Sequence, residues 1–329
     1  MYSRRSVLNF FLFLLFSINF TVQAAIPDSA LVGSTKGSFS VSPSGTASYN
    51  IPIQLPPNVG GVQPSLSLSY DSSGGNGLLG MGWQLSGFSS ISRCPKTLER
   101  DGKIEGINFE ITGPFCLDGQ RLVNTSGSSY RTEMDDFSTI TGGLNGFTVI
   151  TASGLTMKYG DTSNSQIKLK GQSNKIISWA LNEVKDPYGN RYTINYTNNG
   201  YSSGEYYASM IYMYGRQNLL SHVALVYEPR PDVISGYLAG SEYQLTQRLS
   251  ALKIYTKNSL TKQYLIHYAD SVEPLNTSFI EDVEECDSNG YCLEKLVFLK
   301  PDEVNSSFES PNSSFGVHFQ KNTSLISVR

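Results

Sequence analysis

The sequence predicts an all-β fold: many short antiparallel strands in hairpins, forming a β-sandwich or shell-like sheet with little helix. Three observations carry this. Charged residues make up 16% of the 329-residue chain and aromatics 12%, with 20 tyrosines and 30 glycines. Low charge with abundant Tyr, Ser, Thr and Gly favours strands over helices. Apolar residues recur at alternate positions, the period of a half-buried strand. Turn chemistry interrupts them roughly every ten residues, the spacing of an all-β domain.

Arg4 and Arg5 precede an apolar run from Val7 to Phe16 and a small-residue site at Val22-Gln23-Ala24. These are the parts of a secretory signal peptide, residues 1–24, with cleavage expected between Ala24 and Ala25. The apolar run is short for a membrane span. Ser3-Arg4-Arg5 hints at a twin-arginine signal, but the greasy core favours the general secretory route. The mature chain is expected to be exported, to the extracellular space or cell surface, with the periplasm as the alternative. No later apolar stretch reaches spanning length, so no membrane span is expected after cleavage. Net charge is −3 with no basic stripe, which argues against nucleic acid as a partner.

Residues 25–36 are a small-residue lead-in, expected to be flexible. Phe39 and Val41 alternate with serines, then Tyr49, Ile51, Ile53 and Leu55 alternate again. Pro52 inside that run predicts an edge strand. Leu66, Leu68 and Tyr70 face one way and Ser65, Ser67 and Ser69 the other. A glycine-dense turn carrying Gly75, Gly77, Gly80 and Gly82 leads to Trp83 and Leu85, and is expected to bring them near Leu66 and Leu68. Residues 96–102 read as a polar loop. A hairpin is expected from 147–150 to 155–159, and a second from Ile177, Trp179 and Leu181 to Tyr192, Ile194 and Tyr196 across Asp186-Pro187-Tyr188-Gly189-Asn190. Further strands are expected at 209–214, 222–227, 248–255, 263–268 and 293–299. Residues 300–329 form a Ser/Asn-rich tail, read as the cut-off start of a following domain.

Four cysteines, Cys94, Cys116, Cys286 and Cys292, in an exported chain suggest two disulfides. Of the three connectivities, pairing in sequence order is preferred. Cys94–Cys116 would then contribute about 3 kcal/mol and Cys286–Cys292 about 2 kcal/mol through loop closure. The cysteine spacings do not resemble a zinc pattern, and only His222, His267 and His318 could join them, so no metal or other cofactor is expected.

Several motifs invite chemistry and fail on context. Gly75-x-Gly77-x-x-Gly80 matches the dinucleotide fingerprint, which counts only when a helix follows. Met81-Gly82-Trp83-Gln84-Leu85-Ser86-Gly87 argues against one, so a strand-to-strand turn is expected. Gly200-Tyr201-Ser202-Ser203-Gly204 matches a nucleophile elbow, but a polar loop precedes Ser202 where an apolar strand is required. Asp135-Asp136 and Glu281-Asp282-x-Glu284-Glu285 read as solvated acidic loops, with a weak calcium site over 281–288 as the sharper alternative. His267 reads as structural or solvent-facing. The tyrosines alternate as core or sheet-surface residues do, ahead of a sugar-stacking role.

Taken together, Gly37-x-Phe39-x-Val41-x-Pro43-x-Gly45, Tyr49-x-Ile51-Pro52-Ile53, Gly61-x-Gln63-Pro64-x-Leu66-x-Leu68-x-Tyr70, Gly75-x-Gly77-Leu78-Leu79-Gly80-x-Gly82-Trp83 and Ile91-x-Arg93-Cys94 resemble the N-terminal domain of the Salmonella virulence-plasmid B protein and of insecticidal toxin-complex B components. Phe115-Cys116-Leu117-Asp118-Gly119-Gln120-Arg121-Leu122 also fits. Gly154-Leu155 with Tyr159-Gly160, and Asp186 with Gly189-Asn190-x-Tyr192, are similar to the glycine-turn-tyrosine style of YD/Rhs repeats. The resemblance covers residues 37–299. It implies a virulence- or toxin-associated, non-enzymatic β-module that builds part of an Rhs-like shell or docks other toxin-complex or Rhs components. At 329 residues the chain is expected to lack the family's propeller, full Rhs array and transferase domain. The alternatives are a secreted carbohydrate- or surface-binding module, with a glycan as partner, and a serine hydrolase using Ser202.

Overall fold

The computed structural model describes residues 33–111, 113–198, 202–269, 277–299, 318–321 and 324–326. The signal peptide, its Ala24–Ala25 cleavage site and most of the 300–329 tail lie outside the described residues.

The chain begins with β1 (Ser38–Val41), β2 (Ala47–Pro52) and β3 (Ser67–Asp71). A ribbon of β4 (Asn76–Gly77) and β5 (Gly80–Met81) then leads into β6 (Trp83–Ser86). Four of these form an antiparallel sheet in the order β1-β2-β3-β6. Its registers place Leu68 opposite Leu85 and Tyr70 opposite Trp83. The expected edge position of Pro52 is corrected: β2 lies between β1 and β3. Pro52 is tolerated because it ends the strand. Ile53 donates its amide to Leu66 on the β3 side, so the Pro52 nitrogen faces the other side, where the β1 ladder has stopped at Asn50.

Next come β7 (Ser90–Arg93), a single helical turn α1 (Leu98–Asp101), β8 (Phe115–Leu117), β9 (Gln120–Ser126), β10 (Ser129–Thr132), β11 (Thr139–Gly143), β12 (Gly146–Ile150), β13 (Thr156–Tyr159), β14 (Gln166–Leu169) and β15 (Gln172–Lys185). The polar segment read as a loop holds α1, because the Thr97 side chain caps its start and Gly102, at φ 66°, ends it in the left-handed conformation. The expected hairpin forms between β12 and β13. Strand β15 closes a barrel. Ser178 to Ala180 pair with β7, while Leu181 to Lys185 pair with β13. The ring β7-β8-β9-β10-β11-β12-β13-β15 is thus an eight-stranded antiparallel barrel.

From β15 a second sheet grows through β16 (Arg191–Asn198), β17 (Tyr206–Gly215), β18 (Asn218–Leu238), β19 (Ser241–Thr256), β20 (Ser259–Tyr268), β21 (Ile280–Asp287), β22 (Leu296–Leu299), β23 (His318–Lys321) and β24 (Ser324–Ile326), each antiparallel to the last. The β15–β16 turn is the predicted one. Asp186 accepts the amides of Tyr188 and Asn190 and the Asn190 side chain. The acidic segment 281–285, read as a loop, is strand β21 instead. Its charges alternate between faces and meet basic partners: Glu285 pairs with Lys262, and Asp282 with Lys295 and His267.

Edge-to-face aromatics fill the barrel. Phe115, Phe147 and Trp179 lie 5.1–5.4 Å apart, centroid to centroid, with Tyr130 joining at 5.9–6.0 Å. Arg93 is buried among them, its guanidinium 5.5 Å from the Phe115 ring and 5.6 Å from Trp179. It donates to the carbonyls of Ile176 and Glu110 at 2.9 and 2.8 Å. Burial pushes its pKa down from the ordinary value. The four-stranded sheet packs Ile51, Leu68 and Trp83 into the same continuous core, with Trp83 and Tyr49 against Phe298 of β22. The buried tyrosines, Tyr70, Tyr130, Tyr159, Tyr192, Tyr196 and Tyr264, are core residues.

Trp179 is fully buried at the centre of the barrel cluster. Trp179→Ala should cost about 3–5 kcal/mol, read as a lowered denaturant midpoint at unchanged slope. Ile104→Ser, at a side chain 84% exposed, should change stability by about 0.5 kcal/mol or less.

Candidate functional site: the clamped glycine turn

The glycine turn sits where the four-stranded sheet meets the long sheet. Gly77 pairs with Gly80 across Leu78 and Leu79, and a strand begins at Gly80 where a nucleotide site needs a helix. Gly80 (φ 79°) and Gly82 (φ 75°) adopt left-handed conformations. A Cβ on Gly80 would lie 2.3 Å from the Ser278 carbonyl, and one on Gly82 2.5 Å from the Tyr70 ring. Gly75 and Gly77 have no such constraint.

The polarity of the turn is opposite to a phosphate cradle, which aims amides at an anion. Here the Gly77 carbonyl accepts from Arg230 Nη1 at 2.9 Å, and Asn76 Oδ1 accepts from Arg230 Nη2 at 2.7 Å. The anion at the site is the chain's own Asp232. It accepts from Arg230 Nε (3.0 Å), Asn76 Nδ2 (2.8 Å), the Ser278 amide (2.7 Å) and the Ser278 hydroxyl (2.5 Å). The turn is also pinned by backbone bonds from Met81 to Ser278 and from Leu249 to Leu78. Burial alone would push the Asp232 carboxyl up. The bonds from Arg230, Ser278 and Asn76 outweigh it and hold the group below its ordinary 3.8.

Local sequence explains how Arg230 and Asp232 leave the ladder. Pro229 and Pro231 lack amide donors, and the β18–β19 register breaks between Pro229 and Ile234, where Gln247 and Leu245 are the flanking partners. Residues 230–233 thus oppose Thr246 alone. The orphaned amides of Thr246 and Gln247 bond instead to buried Glu205, which also takes the Thr246 hydroxyl. Sequence reading missed Arg230, Asp232, Ser278 and Glu205. The Pro-Arg-Pro-Asp run inside a strand was the available signal.

The other candidate residues are dispersed. Cys94 is joined to Cys116 with Cα atoms 5.9 Å apart, bracing β7 against β8, and Cys286 is joined to Cys292. Ser202 lies in a turn followed by strand β17, where an elbow needs a helix. The His222 ring stacks on Tyr255 at 4.6 Å, and His267 Nδ1 is held by Asp282 at 2.6 Å. Asp135 and Asp136 accept the amides of Phe137 and Ser138 and so serve their own turn.

Residues 41–99 match the family model for the Salmonella virulence plasmid 65kDa B protein, SpvB. No curated protein sequence matches the chain. Among solved structures, the N-terminal domain of the effector protein SpvB from Salmonella typhimurium strain LT2 is similar at 16% identity and a TM-score of 0.60, over 72% of this chain and 98% of that one. The TcdB2-TccC3 crystal structure is similar at 15% identity and a TM-score of 0.68, over 82% of this chain. The Photorhabdus luminescens Tc holotoxin pore is similar at 14% identity and a TM-score of 0.66, over 88%. The match spans 17% and 18% of those two toxin chains. At these identities the likeness shows the fold.

Four substitutions test the clamp. Arg230→Ala leaves the Asp232 carboxylate, 10% exposed, without its cationic partner and should destabilise by about 3 kcal/mol in chemical denaturation, while Gly75→Ala should be near neutral and Gly80→Ala strongly destabilising. Because the Asp232 carboxyl is depressed from 3.8, its stabilisation is present above that pH and is lost as pH falls below it. Asp232→Asn should therefore flatten the acid limb of a stability-versus-pH curve. The chain thus carries an SpvB-type segment at residues 41–99, on the all-β fold shared with the SpvB N-terminal domain and with part of the TcdB2-TccC3 toxin chain.

Proposed function

We propose that this chain is an exported, non-enzymatic structural module of toxin-complex type, spanning residues 37–299, that adds a wall segment to an Rhs-like shell or docks other toxin components. The observation that carries the reading is the double occurrence of the fold. It makes up nearly a whole chain in the SpvB N-terminal domain and 17% of the much longer TcdB2-TccC3 chain. A fold used in both settings is a building block for larger assemblies.

The geometry supports a building role. The polar node at the glycine turn is an internal ion pair whose atoms are bonded to one another. A surface basin of about 730 Å³ beside α1 is lined by charges that also neutralise each other, Arg100 with Glu133 and Arg121 with Asp101. Neither arrangement leaves an acid and a base poised on a shared cleft. The two disulfides fit an oxidising compartment.

Co-expression of the full chain with an Rhs-type shell polypeptide from its own genome should give co-elution on size-exclusion chromatography. A monodisperse monomer that takes up no such partner would count against the proposal. Specific binding on a glycan array would favour the carbohydrate-binding alternative, and loss of ester hydrolysis in Ser202→Ala would favour the hydrolase.

A further inference from the structure

We propose that His267, Asp282 and Glu284 form a binding site for one divalent transition-metal ion on the outer face of the β20–β21 pair. The inference does not depend on the shell reading. His267 and Asp282 lie directly opposite each other in the ladder. Glu284 is two residues along the same strand, so it projects from the same face. One ligand atom from each of the three can be chosen so that all lie within 4.8 Å of one another. Two neighbouring strands therefore hold the donors, and only small side-chain movements bring them onto a common ion.

The surroundings give the site a floor and an opening. The Asp282 side chain is 6% exposed and the His267 side chain 48% exposed. His267 Nδ1 and Asp282 Oδ1 are 2.6 Å apart, with a hydrogen-bond proton between them. A metal ion takes the place of that proton between the same two atoms. Lys295 Nζ holds the other carboxylate oxygen, Oδ2, at 3.1 Å. It fixes the orientation of Asp282 from outside the coordination sphere, as outer partners of metal ligands do. Glu284 also lies beside Cys286 and Cys292, but those sulfurs are bonded to each other and cannot act as thiolate ligands.

The donor set selects the ion. Calcium and magnesium take oxygen ligands, whereas an imidazole with two carboxylates suits zinc, nickel or cobalt with water completing the sphere. The proposed site differs from the weak calcium site considered over 281–288 in recruiting His267 from the neighbouring strand.

Zinc ion alone is the probe. The full chain, stripped with chelator and checked for absence of free thiol, should take up one Zn²⁺ in isothermal titration calorimetry, and its Tm should rise with added zinc. His267→Ala and Glu284→Gln should each weaken uptake by about tenfold or more and abolish the Tm rise. His222→Ala should bind as the parent does. Lys295→Met should keep one-to-one binding. Absence of zinc uptake by the parent chain overturns the proposal, as does equal uptake by both the His267→Ala and Glu284→Gln chains.

Discussion

Strand β15 has more neighbours than an ordinary strand can serve, and the architecture depends on how its 14 residues divide them. Its early residues pair with β14, Ser178–Ala180 hold β7, Leu181–Lys185 hold β13, and Glu183–Lys185 carry β16 on the other side. One strand closes the barrel and starts the long sheet. The barrel and sheet cannot separate without breaking its ladder, which explains why the buried aromatics run as one continuous core. Trp179, at the point where β15 serves the barrel, also anchors its indole nitrogen to the Leu144 carbonyl at 3.1 Å.

The second tie is polar. The four-stranded sheet is joined to the long sheet by apolar packing at Trp83 and Phe298 and by the Arg230–Asp232 clamp on the glycine turn. The Arg230 side chain is fully buried, so its charge is tolerable only because every partner is in place. Apolar contact alone leaves a sheet free to slide. A guanidinium that must meet Gly77, Asn76 and Asp232 together permits one arrangement. Arg93 does similar work in the barrel with carbonyls and ring faces.

Face assignment was legible in the sequence because the strand period is local. Tyr192, Ile194 and Tyr196 turn inward as their alternation indicates, and the Asp186–Asn190 turn forms on its own side-chain bonds. The glycine turn was legible as a turn, since Gly82 and Gly87 break any helix after Gly80. Its clamp was not, because Arg230, Asp232 and Ser278 come from some 150 to 200 residues downstream. Barrel closure was hidden for the same reason: β7 meets β15 across more than eighty residues. Pro52 misled because a proline constrains only the side its nitrogen faces, and neighbouring strands decide whether that side is occupied. The acidic run of β21 misled because its neutralising partners come from elsewhere, Lys262 from β20 and Lys295 from the segment just before β22.

The break in the β18–β19 ladder at residues 230–233 has one more consequence. The hairpin is long, 21 and 16 residues in its two strands, and in an uninterrupted ladder a slip of one position would invert every side chain from tip to base. The bulge acts as a firebreak. Glu205 holds Thr246 and Gln247 on one side of the break and the Arg230–Asp232 clamp holds the other, so the inner ladder is registered independently of the pairing beyond Ile234. The outer arm has ties of its own, from Ser241 and Glu242 to Lys170 and from Gln244 to Ser203, so the two halves of the hairpin are registered separately.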